Sequence, residues 1–491
     1  MGIEILKKNK FILIFALIVT LIHIVYATVF LRSAYLDGAM LILALLNKFS
    51  SGQFYVYSDS EHTRFFMNFF NQLPMIIGYF ILMIKSKYWL SVLFSLPLFL
   101  FPPLILWWNW HLCKRTQRYD IFAISVLTYG ALLLPFTIFS IVEIPNAVML
   151  QFVLLNYLVG KIDYTKKDLL LIAPLLVFLF GSQEYTMFIG IILFLGSLYY
   201  AFKEEKTFNK MVKYIIGLGG ISSSIYIINF MVKHSSTQSE ASRFIGEAFD
   251  FWKNILTLNS VLSVTALIIL FIMLFKKKEL TNVGKSIIIL TFGAILTYMF
   301  SNLNLYLCPM WEGHFRTIPC WAVPLIFVII VFSDMIKKKM PDSFYTNMLT
   351  IALICTIAQT IWQINNTYWF NKNIDYMKKE LQASPSAIYE PKKGDAEISS
   401  FFNPQLRRYI WNFSYTATSI LFAPDKKVEK MLMPPVEDTD QNNFIYKDWL
   451  YVKDDKTFFI PTIELNRKNE FWDATEVTKA MNDYSKAHNF R

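Results

Sequence analysis

RSAYLDGAMLILALLNKFSSGQFYVYSDSEHTRFFMNFFNQLP, residues 32–74, is the stretch that decides how the rest of the chain is read. It follows an apolar run over residues 11–31, long enough to cross a bilayer and preceded by Lys7, Lys8 and Lys10. The lysines place the N-terminus in the cytoplasm and the stretch itself outside. It carries Asp37 one or two turns past the membrane exit, then Asp59, Glu61, His62 and Arg64 just before the next apolar segment. Acids, a base and a cation suited to phosphate are thus expected at one membrane surface. Between them, residues 36–49 are apolar at most positions and polar at the ends, which predicts a helix lying in the interface plane.

Composition fits this reading along the whole chain. Of 491 residues, 55% are hydrophobic and 17% charged, and the mean hydropathy is +0.40, values that exclude an ordinary soluble enzyme. The net charge of +11 is not a nucleic-acid patch, because the lysines stand in short clusters between apolar runs, at Lys85 and Lys87, Lys276–Lys278 and Lys337–Lys339. Four cysteines show neither metal-ligand spacing nor a disulfide framework. The N-terminal apolar run is longer than a signal-peptide core and reads as a retained first helix.

Placing each basic cluster inside gives a topology. The second crossing, 67–84, returns to the Lys85 turn. A single crossing over 88–112 would put Lys114, Arg115 and Arg118 on the wrong side, so Phe101-Pro102-Pro103 is read as the tip of a hairpin of two short helices. Further crossings are expected at 121–140, 147–160, 169–180, 187–202, 212–232, 255–275, 286–300, 318–332 and 345–363. About thirteen transmembrane helices result, at roughly 20 residues each, with the C-terminus outside. From residue 365 the long apolar runs stop. A transmembrane domain over 1–364, with its first outer loop at 32–66, and an extracytoplasmic α/β domain over 365–491 are therefore expected, the latter with strands near 444–452 and 457–463 and a helix over 475–488.

Three outer loops carry polar groups beyond a connector's needs. In the first, Asp37 is either a helix N-cap or a general base able to take a proton from an acceptor hydroxyl, and Arg64 either snorkels or grips a lipid phosphate. In the second, 181–186, Gln183 and Glu184 stand at a hairpin tip, either solvated or positioned for an acceptor. The third, 307–319, gathers Glu312, His314 and Arg316 beside Trp311 and Phe315. Arg316 is the best phosphate ligand, and His314 lacks a second histidine at metal-ligand spacing. The loop at 233–253 reads as a connector or as a flap over substrate.

This pattern resembles the GT-C glycosyltransferases, through the outer loop with Asp37 soon after the first crossing, SDSEHTRFF before the second, WEGHFRTIP late in the membrane domain, and an outer C-terminal domain. The layout is similar to that of bacterial and phage O-antigen glucosyltransferases, while the WWDYG-type motif of the oligosaccharyltransferase branch is absent. The resemblance implies an inverting glycosyltransferase in a bacterial inner membrane, moving a sugar from a polyprenyl-phosphate donor to a lipid-linked or cell-surface glycan acceptor. Asp37 would be the catalytic base, with Asp59, Glu61, Glu184 and Glu312 as further acidic candidates. Arg64 and Arg316 would hold the donor phosphate, and His62, Gln183 and His314 would border the pocket. Trp411, Tyr409 and Trp449 would stack on acceptor sugar, or else form the core of the small domain. No cofactor is required; a divalent cation on Asp59 or Glu61 is compatible with the arrangement, and no nucleic-acid partner is implied. The alternatives are a lipid-linked polysaccharide polymerase or ligase, a lipid or sugar flippase or transporter, and a structural assembly protein. A transporter is disfavoured because few ionisable residues fall within the crossings, His23 and Glu143 lying near the ends of theirs.

Overall fold

Helix α1, Lys10–Val29, leaves most of one apolar side uncovered, with Phe11, Leu17, Leu21 and Val25 all exposed, as expected of a helix bathed in lipid. The structure, a computed structural model, describes residues 9–34, 37–53, 65–134, 144–183, 185–233, 323–331, 342–389, 414–432, 457–460 and 463–487. It is mostly helical. Among the described residues four helical stretches are long and apolar enough to cross a membrane, Lys10–Val29, Lys87–Thr116, Thr207–Phe230 and Thr346–Ala383. The chain is a helical membrane protein.

Two ends of the bundle can be told apart by contacts. At the first, Asn9 donates to the Thr346 carbonyl at 3.4 Å and accepts from the Thr350 hydroxyl at 2.6 Å, so α1 and the long helix Asp342–Ala383 start together. At the second, the Tyr88 hydroxyl donates to the Val29 carbonyl at 3.0 Å, which puts the Lys85–Lys87 turn where α1 ends. Helix α2, Asp37–Ser50, and α3, Phe65–Phe80, follow α1.

Residues 88–118 do not form the expected hairpin. Helices α4, Lys87–Phe99, and α5, Phe101–Thr116, are joined at Leu100 with right-handed helical dihedrals, φ −94° and ψ −39°. They form one apolar stretch of 30 residues, about 45 Å long at 1.5 Å per residue. Pro102 and Pro103 fall in the first turn of the second half, where a missing N–H costs least. Just before the join, the Asn146 carboxamide donates to the Pro97 carbonyl at 2.8 Å, tying this helix to a buried neighbour. Phe101-Pro102-Pro103 is no hairpin tip, and Lys85 and Arg115 stand at opposite ends of the bundle. The Lys85–Lys87 turn therefore does not belong with the other basic clusters. Its ammonium groups meet protein: Lys85 pairs with Glu470 at 3.3 Å, and Lys87 donates to the carbonyls of Ile420 and Ala423 at 3.0 and 3.3 Å.

Helix α2 also departs from the expected interfacial helix. Ala39, Ile42, Leu43, Leu45, Leu46 and Phe49 are all fully buried, and a helix apolar on every side belongs inside protein rather than on a lipid surface. Phe49 stacks on Tyr79 of α3, with ring centres 4.9 Å apart. Over the helix lie segments from the far end of the sequence. Asn47 acts toward them as a strand residue would: its carboxamide donates to the Glu464 carbonyl at 3.3 Å and accepts from the Asn466 N–H at 2.9 Å. Residues Thr457–Ile460 and Ile463–Asn466 are antiparallel strands, Ile388–Tyr389 and Met431–Leu432 a short parallel pair, and Ser414–Leu421 and Thr475–Ala487 helices. The last matches the expected terminal helix. Asp342–Ala383 runs unbroken through position 365, and the strand expected at 444–452 lies outside the described residues.

The expected crossings at 147–160, 169–180 and 187–202 are the helices α7, Ile144–Val159, α8, Lys166–Phe180, and α9, Thr186–Phe202, after α6, Tyr119–Leu127. Every residue of α7 is buried, so it is a core helix of the bundle. Helix α10, Thr207–Lys233, packs on α9 so closely that a Cβ at Gly190 would meet the Gly220 carbonyl oxygen at 2.1 Å. At the end shared with Asn9, α8 opens with a capping box in which Thr165 and Asp168 satisfy each other's backbone N–H groups. Asp168 also accepts two bonds from Arg115, at 2.8 and 3.1 Å. Burial alone would raise the Asp168 carboxyl, but the Arg115 guanidinium and the donors of Thr165 outweigh it and hold it at about 2. The crossings expected at 255–275 and 286–300 lie outside the described residues, while 323–331 is helical as expected.

Two outcomes follow. Asp168→Asn is expected to lower stability by roughly 2 kcal/mol at neutral pH, the scale of a hydrogen bond to a charged group. Because the folded carboxyl titrates below the unfolded one, wild type keeps this advantage above about pH 4 and loses it as pH falls through about 2; thermal unfolding in detergent across that range measures it. Asn47→Ala leaves the Asn466 N–H without its acceptor and is expected to speed hydrogen exchange over 463–472 while residues 144–159 stay protected.

Candidate functional site

Helix α1 does not simply run out into solvent. Leu31 takes a left-handed conformation, φ +51°, which an L-residue with a branched side chain adopts at a cost of roughly 1–2 kcal/mol. The turn sends Arg32–Ala34, a single 3-10 turn, back into protein, where all three residues are buried. The guanidinium of Arg32 lies 5.5 Å from the ring centre of Phe370 on the long helix Asp342–Ala383, within cation–π range. The Ser33 and Ser95 hydroxyls hydrogen-bond each other. Three residues after this turn, Asp37 begins α2. Asp37 thus stands at the head of a helix, the position of its structural reading, and at the end of the bundle where α1 finishes, the position its catalytic reading requires.

The C-terminal segments close over the same end. Glu470 accepts from the Tyr79 hydroxyl and pairs with Lys85. Its H-bonded neighbour Tyr79 lies under the Lys85 ammonium, 3.8 Å from the ring centre. Together these contacts push the Lys85 ammonium above its ordinary range, the Tyr79 hydroxyl contributing most and Glu470 next. Trp472 is fully buried, its indole N–H donating to the Asn466 carbonyl at 3.0 Å.

Of the two readings of the 181–186 turn, the solvated one fails for the residues described: Ser182, Gln183 and Thr186 are buried. Gly181 lies directly against α3, its carbonyl accepting from the Met67 N–H at 3.0 Å, and a Cβ there would come within 2.8 Å of the Phe66 nitrogen. Only glycine fits that approach. Inside the turn, Ser182 and Thr186 hydroxyls share a 2.7 Å bond, Gln151 of α7 donates to Thr186 at 3.1 Å, and the Tyr185 hydroxyl donates to Gln151 at 3.3 Å. This polar knot joins α7, α8 and α9 in an apolar interior, and Gln183 sits beside it.

Of the residues singled out from sequence, Asp37 and Gln183 belong to described positions, Asp37 at a helix start and Gln183 within the buried turn. Asp59, Glu61, His62, Arg64, Glu184, Glu312, His314, Arg316, Tyr409, Trp411 and Trp449 lie outside the described residues, as does the loop at 234–253. Among the described residues no three His, Cys, Asp or Glu side chains gather as a metal site. Sequence reasoning missed Arg32, Gln151 and Glu470. A signal existed for the first two: a guanidinium directly after a crossing and an amide in the middle of an apolar run both need partners inside the protein. For Glu470 there was none, since its partner lies nearly four hundred positions away. Comparison with family models, with curated proteins and with solved structures yields no match to this chain.

Proposed function

We propose that the chain is an inverting glycosyltransferase of the GT-C type, taking a sugar from a polyprenyl-phosphate donor and passing it to a lipid-linked or cell-surface glycan at the outer face of a bacterial inner membrane. The observation that carries the reading is Asp37 at the head of a buried helix, just beyond the first crossing and at the end of the bundle that the C-terminal segments cover. Charge supports the orientation: the opposite end carries Lys114, Arg115, Arg118, Lys161, Lys166, Lys167, Lys203 and Lys206, the excess expected of cytoplasmic loops. With 88–112 counted once and 67–84 ending on the outer side at the Lys85 turn, the proposal keeps about eleven crossings and an outer C-terminal domain.

In this mechanism Asp37 takes the proton of the acceptor hydroxyl as its oxygen attacks the anomeric carbon in line, inverting it. The leaving polyprenyl phosphate gains negative charge, which Arg64 and Arg316 stabilise. Asp59 or Glu61 would ligate a divalent cation if one takes part. Trp411 and Trp449 offer stacking surfaces to acceptor sugars. A second reading, a lipid or sugar transporter, draws on one observation: His23 is buried within the first crossing, its ring edge-on to Phe99 at 5.4 Å, and buried ionisable residues in spans often serve transport.

Asp37→Asn is expected to cut sugar transfer by about a hundredfold or more, the usual scale of a lost general base, while the protein reaches the membrane in normal amount with an unchanged melting temperature. Near-normal transfer removes the base assignment. Arg316→Ala is expected to raise the donor concentration needed for half-maximal rate and to leave acceptor dependence unchanged.

A further inference from the structure

At the end of the bundle where α1 finishes, a groove of about 600 Å³ opens between the Lys85–Lys87 turn, the long helix Asp342–Ala383 and the chain just after Leu421. Four lysines line it, Lys85, Lys87, Lys378 and Lys426, against two carboxylates, Asp425 and Glu470. Glu470 is already engaged by Lys85 and Tyr79, and Lys87 by the carbonyls of Ile420 and Ala423. Among the described residues neither Lys378 nor Lys426 forms a salt bridge; the Lys378 ammonium rests 5.6 Å from the Phe422 ring centre. A groove with this excess of cations is incomplete without an anion. Its floor is not water-facing throughout: Val29, Phe30 and Tyr88 line one side, and next to them Val25 and Trp89 are exposed on the surface that faces lipid. Tyrosine and tryptophan at a helix end mark the headgroup level of a bilayer, where basic pockets between helices receive anionic headgroups.

We infer that this groove binds the phosphate headgroup of an anionic phospholipid, with its acyl chains descending along Val29, Tyr88 and Trp89. Because Lys85 and Lys87 belong to the bundle and Lys426 to the C-terminal segments, one headgroup bridges both and fastens the segments to the membrane. The inference does not rest on the transferase reading.

The test uses the full-length protein in a neutral detergent, titrated with dioctanoyl phosphatidic acid, dioctanoyl phosphatidylcholine or inorganic phosphate and read by native mass spectrometry. Phosphatidic acid is expected to bind at least about tenfold more tightly than either other probe. The Lys378→Gln, Lys426→Gln double variant should weaken it by about tenfold, equivalent to about 1.4 kcal/mol. Asn371→Asp, which adds a carboxylate to a residue lining the groove, should weaken it likewise. Equal binding of phosphatidylcholine, or unchanged affinity in variants that melt as wild type does, overturns the site. Inorganic phosphate binding as tightly as phosphatidic acid overturns the lipid assignment and leaves a soluble phosphate ester as the ligand. Should neither variant fold, the three probes on wild type decide the matter alone.

Discussion

A helix apolar on all sides can rest only between two other layers of protein, and residues 37–50 form such a helix. Below it lie Tyr79 and Phe80 of α3; above it lie residues more than four hundred positions later in the chain, tied through the Asn47 carboxamide. This burial brings the first connection after the membrane and the C-terminal segments to one end of the bundle. The position of the Lys85–Lys87 turn follows, because the segments that cover α2 also supply Glu470 and the carbonyls of Ile420 and Ala423. A salt bridge as exposed as Lys85 to Glu470 contributes little by itself, about 1 kcal/mol or less. The apolar area sealed around Phe49 and Trp472 holds the layers together.

Much of the fold was legible because bilayer crossings write themselves into sequence as length and hydropathy. Lys10–Val29, Thr207–Lys233 and the terminal helix Thr475–Ala487 stand close to where the apolar pattern puts them. What misled was the use of charge as the sole arbiter of side. Lys85 and Lys87 were counted as cytoplasmic by charge alone, yet they also have protein partners, Glu470 and the carbonyls of Ile420 and Ala423, which lie too far along the chain to be inferred. The same error propagated to Phe101-Pro102-Pro103, where a hairpin was needed only to rescue the charge rule. A proline pair in the first turn of a helix is tolerated because the N–H groups it removes are ones that a helix start leaves unbonded in any case.

The candidate site was legible in part. Asp37 was singled out by its distance beyond the first crossing, and it begins the helix that follows. Arg32 was passed over although a guanidinium directly after a crossing calls for a partner; what nothing local announces is that Leu31 turns the chain back into the bundle. The turn around Gln183 stayed open between two readings for a related reason: polar residues at a helix junction suit solvent, yet they satisfy one another when glycine lets a neighbouring helix cover them. Both cases show polar residues of a membrane protein answering to buried partners rather than to water.

Both the fold and the proposed site require Lys85 and Arg115 to stand at opposite faces of the membrane. In a cysteine-free background, Leu82→Cys and Lys114→Cys, both at exposed positions, can be labelled in intact cells with a membrane-impermeant maleimide. Labelling of Leu82→Cys from outside, with Lys114→Cys reacting only after permeabilisation, is the predicted result. Labelling of both from the same side would contradict the single crossing by Lys87–Thr116, and with it the arrangement of the two faces.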